Sequence, residues 1–141
     1  MFLNLKQVEA YDSYDGNPYS VEATNGTVAF LDLSVPQYSV PVYDWILSLE
    51  VAEHIPAEFE SNFLDNIVRH AREGIVLSWA RVGQGGRSHV NNRPDEYVRE
   101  QMLKRGFRRD EDASKRVKSA AILDWLRANT NVYYRIKPYC V

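Results

Sequence analysis

Glu50, Glu53 and His54 bring two carboxylates and an imidazole together in the stretch YDWILSLEVAEHIP, residues 43–56. A histidine titrates near neutral pH and can accept a proton, and a neighbouring carboxylate can orient its ring. We therefore predict that His54 acts as a general base and that Glu53 orients it. Acids and histidines at the end of an element also cap the next helix and face water, so this alternative stays open at the level of sequence.

A third chemically active residue, His89, lies in GQGGRSHVNNR, residues 83–93, the most glycine-rich loop of the chain. Long polar loops that follow buried strands commonly carry recognition and catalytic residues. We assign His89 to the catalytic group together with Glu53 and His54. A surface loop without a role is the alternative interpretation of the same residues.

A buried strand is expected to position the first of these groups. The apolar residues between Trp45 and Val51 form a nearly unbroken run. Such a run is typical of a parallel strand that is covered on both faces. The acids then come at the carboxyl end of the strand, where open α/β sheets bind their ligands.

The rest of the chain alternates between predicted strands and predicted helices. Strands are predicted at residues 8–12, 27–34, 75–82, 107–112 and 132–136, and helices at residues 56–74, 94–106 and 113–128. The charged strand 107–112 suits the edge of a sheet. The alternation predicts a single α/β domain over residues 1–141, with helices packed on a mostly parallel sheet.

Composition and charge exclude several classes of function. With 141 residues and 45% hydrophobic side chains, the chain is large enough for one core. Its net charge of -2 gives no reason to expect nucleic acid, and acids interrupt the basic segment 104–118. The single cysteine, Cys140, excludes an intramolecular disulfide, and no apolar run is long enough to cross a bilayer. We therefore expect a soluble, cytoplasmic protein without membrane or nucleic-acid partners.

Several pieces of the chain, taken in order, resemble the later part of a class I S-adenosylmethionine-dependent methyltransferase. They are VEAYDSYDGNP, VAFLDLS, DWILSLEVAEHIP, GIVLSWARVGQGG, a helix ending in RGF, and NVYYRI. The resemblance runs from about Val8 to Lys137, and EVAEHIP is its most telling piece. It implies a Rossmann-like sheet in a three-layer α/β/α arrangement and S-adenosylmethionine as cofactor. The implied reaction is methylation of a small-molecule acceptor, at oxygen.

The resemblance also implies which residues hold the ribose and the adenine of the cofactor. An acid at the end of the family's second strand binds the ribose hydroxyls. Here it corresponds to Asp12 or Asp15, and Asp15 is preferred because Gly16 lets the backbone approach a ligand closely. Asp32, with the amide of Leu33, corresponds to the acid beside the adenine.

The segment that passes under the methionine part of the cofactor corresponds to Leu49, Glu50 and Val51. These residues form the end of the predicted strand of residues 45–51. Without the resemblance, acids at strand ends would be interpreted as caps of loops.

The same stretch spells E-x-x-E-H through Glu50, Glu53 and His54. This pattern resembles the metal-binding residues of certain O-methyltransferases that act on ubiquinone precursors or on small-RNA ends, with His89 as the counterpart of their distant histidine. Such a set would suit Mg²⁺ or Mn²⁺. Similar sequences occur in this class without metal, so we expect no bound metal.

The front of the family's domain has no counterpart in this chain. No strand with a glycine-rich turn precedes Val8. In the family this strand lies between the second and fourth strands, so its loss would expose two apolar edges. The chain could be a fragment, the flanking strands could pair directly, or residues 1–6 or a partner chain could supply the strand. We expect a homodimer that covers these edges, and the rival function is a truncated, inactive module that binds partners or is structural.

Overall fold

The computed structural model describes residues 8–138, which divide into two units between Leu33 and Ser34. The first unit contains a two-stranded parallel sheet of β1 (Tyr14–Asp15) and β2 (Ala29–Phe30), joined by the short helix α1 (Ser20–Ala23). Residues 8–12 are exposed and form no strand, so the prediction of a strand there is wrong. The second predicted strand, residues 27–34, is real but shorter.

The second unit contains four strands and four helices. They are β3 (Tyr43–Ser48), α2 (Glu60–Arg69), β4 (Ala71–Leu77), α3 (Asp95–Lys104), β5 (Phe107–Asp110), α4 (Glu111–Ala120), α5 (Asp124–Asn129) and β6 (Asn131–Arg135). Two short 3₁₀ turns, Ala52–His54 and Ala57–Phe59, connect β3 to α2. No helix among residues 8–138 is long and apolar enough to span a membrane.

The strands of the second unit form one sheet in the order β3-β4-β6-β5. β3 runs parallel to β4, whereas β6 runs antiparallel to both of its neighbours, β4 and β5. β3, β4 and β5 therefore point in one direction, and β6 lies between β4 and β5 and points in the opposite direction. This confirms the predicted α/β class, and it places β5 at an edge as its charged sequence predicted. The expectation of mostly parallel pairing is corrected, because β6 makes two of the three strand pairings in this sheet antiparallel.

The core lies where α2 and α3 pack against the sheet. Phe63, Ile75, Met102, Phe107 and Tyr133 are fully buried. Phe63 packs edge-on against Trp79, and α2 buries Phe63, Leu64 and Ile67 together with the polar Glu60 and Asn66. This packing holds the carboxyl ends of β3 and β4 side by side.

The long helix predicted at residues 113–128 is two helices instead. The backbone extends at Ala121 (ψ 131°), between α4 and α5, so the apolar residues after it leave the helical face. Ile122 is 79% exposed for this reason, and Trp125 is also exposed. Residues 121–123, between the two helices, contain no glycine or proline, so the sequence carries no stop signal at this break.

The prediction that β3 is covered on both faces is wrong. β3 has β4 as its single neighbour in the sheet of the described residues, so it lies at an edge. Trp45 and Leu47 point to the same face of the sheet and are 39% and 45% exposed. An apolar run that predicts burial therefore ends up on an open face.

Gly74 lies inside β4, directly opposite Trp45, and not at the end of a helix as predicted. A Cβ atom at this position would lie 2.3 Å from Cζ3 of Trp45. The indole therefore covers the glycine, and its ring meets Tyr134 edge-on with centroids 5.0 Å apart. This glycine therefore provides space for a cross-strand aromatic contact.

Replacing Gly74 by alanine is expected to displace the Trp45 ring and to lower the free energy of unfolding by about 1–3 kcal/mol. The measurement is urea denaturation followed by far-ultraviolet circular dichroism. Gly85→Ala is the matched control, because a Cβ there meets no atom within 4 Å. Equal losses in the two variants would contradict the role given to Gly74.

Candidate active site at the end of strand β3

The chain turns sharply just after β3, at Glu50. Glu50 adopts a positive φ of 57°, a conformation that disfavours residues other than glycine. Ser78, at the end of β4, holds it there: its Oγ accepts from the Glu50 amide at 2.8 Å and donates to Glu50 Oε1 at 2.9 Å. The Ser78 amide also donates to the carbonyl of Ser48 at 3.0 Å. These bonds tie the ends of both strands together.

The loop that carries His89 folds onto the 3₁₀ turn that carries Glu53. The amides of Val90 and Asn91 both donate to the carbonyl oxygen of Glu53, at 2.9 Å and 3.0 Å. Gly86 leaves room for the His89 ring, since a Cβ there would lie 2.1 Å from Nε2. The predicted catalytic residues from two distant parts of the chain therefore meet.

Glu53, His54 and His89 form one cluster. Each offers one possible ligand atom, and these atoms lie within 4.8 Å of one another. The two imidazoles meet edge-on with centroids 5.1 Å apart. Glu53 is 0% exposed, and neither of its carboxylate oxygens has a hydrogen-bond partner among the described residues. Burial raises the pKa of the Glu53 carboxyl, and the nearby Glu50 raises it further.

The ring of His54 is oriented by Ser88 and not by Glu53. Nδ1 of His54 lies 3.1 Å from the carbonyl oxygen of Ser88. A carbonyl oxygen only accepts, so the hydrogen of a neutral His54 belongs on Nδ1. The lone pair then belongs to Nε2, which is the atom that can accept a proton or bind a ligand.

A second buried acid, Glu60, anchors the same loop. Its carboxylate accepts from Asn91 Nδ2 at 3.0 Å, from Arg93 Nε at 2.7 Å and from the Tyr97 hydroxyl. The indole of Trp79 donates to the Asn91 carbonyl at 2.7 Å. Burial by itself would raise the pKa of Glu60, but these hydrogen bonds and the charge of Arg93 lower it overall.

Sequence reasoning missed Glu60 and Asn91. An acid in the first turn of a helix is favourable for the helix dipole alone, so its type and position carry no signal of a buried network. The asparagines after His89 were noted only as part of a polar loop.

The predicted ribose and adenine residues lie in the first unit. Asp15 is the last residue of β1, and its Oδ1 accepts from the Asn17 amide at 2.7 Å in a local turn. A Cβ at Gly16 would lie 3.7 Å from the Leu31 carbonyl, so the backbone passes close to β2. Asp12 is exposed, whereas Asp32 and Leu33 are half-buried just after β2. The structure thus brings acids to the carboxyl ends of two parallel strands of this unit.

The predicted methionine-side residues lie in the second unit. Leu49, Glu50 and Val51 directly follow β3 and are half-buried. Glu50 is the one of the three whose side chain has a defined partner, the hydroxyl of Ser78. The assignment of all these residues to a cofactor stays a prediction.

No protein-family model and no curated protein matches the sequence. Solved structures do match. Magnesium protoporphyrin IX methyltransferase (ChlM) from Synechocystis PCC 6803, with bound S-adenosylhomocysteine, is similar with a TM-score of 0.52 and 17% identity over 83% of this chain. LepI in complex with S-adenosylmethionine is similar with a TM-score of 0.55 and 14% identity over 92% of this chain. A structure described as a pericyclic reaction enzyme has a TM-score of 0.57 and 15% identity, also over 92%.

The chain spans only part of these proteins, 55% of ChlM and 37% of LepI. Their low identity restricts the likeness to the fold. The strand order, the reversed last strand and the overlap with these structures nevertheless agree with one architecture. The fold of this chain is therefore that of a class I S-adenosylmethionine-dependent methyltransferase.

Proposed function

We propose that this chain is a cytoplasmic enzyme that binds S-adenosylmethionine and transfers its methyl group to an oxygen of a small-molecule acceptor. The single observation that carries the proposal is the cluster of Glu53, His54 and His89 at the carboxyl end of β3. In an α/β sheet this edge is where ligands bind. The methyltransferase-like fold supplies the cofactor class.

The chemistry of methylation at oxygen explains why such a cluster would be useful. The acceptor oxygen attacks the methyl carbon in line, the bond from carbon to sulfur breaks, and the sulfonium leaves as a neutral thioether. A hydroxyl acceptor must also lose its proton. Nε2 of His54 is suited to take it, since Nδ1 faces the Ser88 carbonyl and the ring is exposed to an incoming molecule.

The cofactor is assigned to the residues that the resemblance selected. Asp15, with Asp12 as the alternative, would accept from the ribose hydroxyls, and Asp32 with the Leu33 amide would face the adenine. The position of Asp15 at the end of β1 and of Asp32 just after β2 supports the assignment, because parallel strands present ligand-binding groups at their carboxyl ends. Leu49, Glu50 and Val51 would line the methionine part.

A second candidate function follows from the open edge of the sheet. Trp45 and Leu47 are exposed on β3, where no further strand of the described residues pairs. Exposed apolar edge strands favour association with another chain. The chain would then be a methyltransferase-like module without activity that binds a partner, and a second copy of itself is the partner we propose.

Saturating S-adenosylmethionine or S-adenosylhomocysteine is expected to raise the melting temperature. A ligand selective for the folded state adds about 2.7 kcal/mol of stability at a concentration one hundred times its Kd. The measurement is differential scanning fluorimetry, with binding confirmed by calorimetry. Absence of both a shift and binding heat would reject the enzyme proposal.

The matched variant for cofactor binding is Asp15→Asn. Asparagine keeps an oxygen for the local turn with Asn17 but removes the charge, so stability without ligand should stay close to wild type. Loss of a charged hydrogen bond to the ribose should weaken cofactor binding about tenfold. Unchanged affinity would remove Asp15 from the cofactor site.

Leu47→Lys is expected to convert a homodimer into a monomer, because the lysine places a charge on the exposed edge strand. Ile122→Lys is the control, since Ile122 is exposed outside the sheet. Sedimentation equilibrium gives the mass of each species. A wild-type chain that is monodisperse and monomeric would contradict the homodimer.

Glu53→Gln is expected to stabilise the protein at neutral pH, measured in the presence of a chelator. The folded-state pKa of Glu53 is raised, so its favourable contribution is complete below its unfolded value and is lost as the pH rises through the folded value. The advantage of the variant should therefore grow as the pH rises above the ordinary pKa of a glutamate. Urea denaturation across this range measures it.

Glu60→Gln is expected to change stability with pH in the opposite direction. The pKa of Glu60 is lowered, so its contribution is present above its unfolded value and is lost as the pH falls. The variant should lose about 1.5–3 kcal/mol at neutral pH, and the loss should shrink in acid. If both variants moved in the same direction with pH, the environments assigned to the two acids would be wrong.

A further inference from the structure

The geometry of the cluster points to a metal site: we infer that Glu53, His54 and His89 bind a divalent transition-metal ion of borderline character, such as Zn²⁺, Co²⁺ or Mn²⁺. The inference concerns binding alone and stands whether or not the chain transfers methyl groups. When an ion is bound, Nε2 of His54 is a ligand, so the general-base role proposed for this atom belongs to the metal-free chain. It replaces the expectation that the chain holds no metal.

The Glu53 carboxylate is a buried acid that lacks a partner in the described part of the chain. It is completely buried, and both of its oxygens lack a hydrogen-bond partner among residues 8–138. A buried charge without partners costs several kcal/mol, so folded proteins pair such groups or use them to coordinate metals. Protonation would remove the charge, but at the observed distances the carboxyl would still have no hydrogen-bond partner among the described residues. A cation between the carboxylate and the two imidazoles would satisfy it.

Each of the two imidazoles has one nitrogen that is available to an ion. His54 is held through Nδ1 by the Ser88 carbonyl, which leaves Nε2 as the ligand atom. A backbone carbonyl on the other ring nitrogen is the usual support of a metal-binding histidine. Nδ1 of His89 is buried and has no partner among the described residues, so it is available to an ion.

The distances among the three ligand atoms can be compared with those around a bound ion. The three ligand atoms lie within 4.8 Å of one another. Neighbouring ligands of one ion, each about 2.1 Å from it, are separated by about 3–3.5 Å. Binding an ion would therefore draw the most distant pair of ligand atoms together by about 1–2 Å. The Val90 and Asn91 amides already fix the backbone of the His89 loop against the carbonyl of Glu53.

The chemical types of the ligands determine which ion the site prefers. Glu50 is outside the set, because Ser78 occupies its Oε1 and its amide. The remaining ligands are two imidazoles and one carboxylate, a set that suits Zn²⁺, Co²⁺ or Mn²⁺ and suits Mg²⁺ poorly, since Mg²⁺ prefers oxygen ligands. Three protein ligands leave coordination positions for water or for an acceptor oxygen, whose pKa the ion would lower.

The experiment uses the full chain after treatment with a chelator. Titration with ZnCl₂, MnCl₂ and MgCl₂ in a calorimeter should give one site per chain, at least about tenfold tighter for Zn²⁺ than for Mg²⁺. Co²⁺ should produce visible absorption bands typical of imidazole ligation. Absence of saturable binding of Zn²⁺ and Co²⁺ at micromolar concentrations, or equal affinity for Mg²⁺, would overturn the inference.

Variants separate ligands from neighbours. His54→Ala changes an exposed residue and should fold normally while binding Zn²⁺ at least about tenfold more weakly. Glu53→Gln and His89→Ala should do the same and should lose the Co²⁺ absorption. Glu50→Gln is the control and should bind within about twofold of wild type, because its oxygen can still accept from Ser78. If Glu50→Gln weakens binding as much as Glu53→Gln, the three-ligand set is wrong.

The test is independent of the methyltransferase proposal. The shift in melting temperature with S-adenosylhomocysteine is measured on the chelated chain, so either result can fail without the other. A chain that binds the cofactor but no Zn²⁺ keeps the proposed function and loses the metal site. A chain that binds Zn²⁺ but no cofactor gives the reverse.

Discussion

The pair of hydrogen bonds that Val90 and Asn91 donate to the Glu53 carbonyl is the contact on which the candidate site depends. It joins the turn after β3 to a loop that lies more than thirty residues further along the chain. The bonds involve backbone groups, so they fix position without using any side chain of the cluster. The Glu53 carboxylate and the His89 ring then remain available beside each other, on supports that the core of the second unit holds in place.

Glu53 and Glu60 both contact the loop that carries His89, but their carboxyl groups lie in different environments. Both are buried, and burial raises the pKa of each carboxyl. Glu60 receives three hydrogen bonds, from Asn91, Arg93 and Tyr97, and its pKa is lowered overall. Glu53 receives none that satisfies its oxygens, and its pKa stays raised. Glu60 therefore stabilises the loop, whereas the buried Glu53 carboxyl has no hydrogen-bond partner among the described residues and does not hold the loop. Unsatisfied buried acids of this kind are concentrated at functional sites.

Much of this arrangement could be predicted from the sequence, and the failures have physical reasons. The α/β class and the grouping of Glu53 with His54 followed from local patterns, because apolar periodicity and turn residues act over short distances. Gly74 was misinterpreted as a helix end, since its role depends on Trp45 across the sheet. Glu60 could not be recognised, because its partners come from a loop whose path is set by tertiary contacts. Long-range contacts of this type leave no periodic signal in one sequence.

The comparisons and the site answer different questions. The structures that share this fold include a methyltransferase and a protein described as a pericyclic reaction enzyme, so the fold does not determine the reaction. In this chain the chemically active groups gather at the end of β3. Three groups lie close together there. They are the fully buried carboxylate of Glu53, the imidazole of His54, whose Nδ1 lies against the Ser88 carbonyl, and the imidazole of His89, whose Nδ1 has no partner among the described residues. Each alone has an ordinary structural explanation, but together they leave three ligand atoms facing one another without a partner. The folded chain would be more stable with that centre filled, either by a proton shared with a substrate or by a cation, and this requirement links its stability to its function.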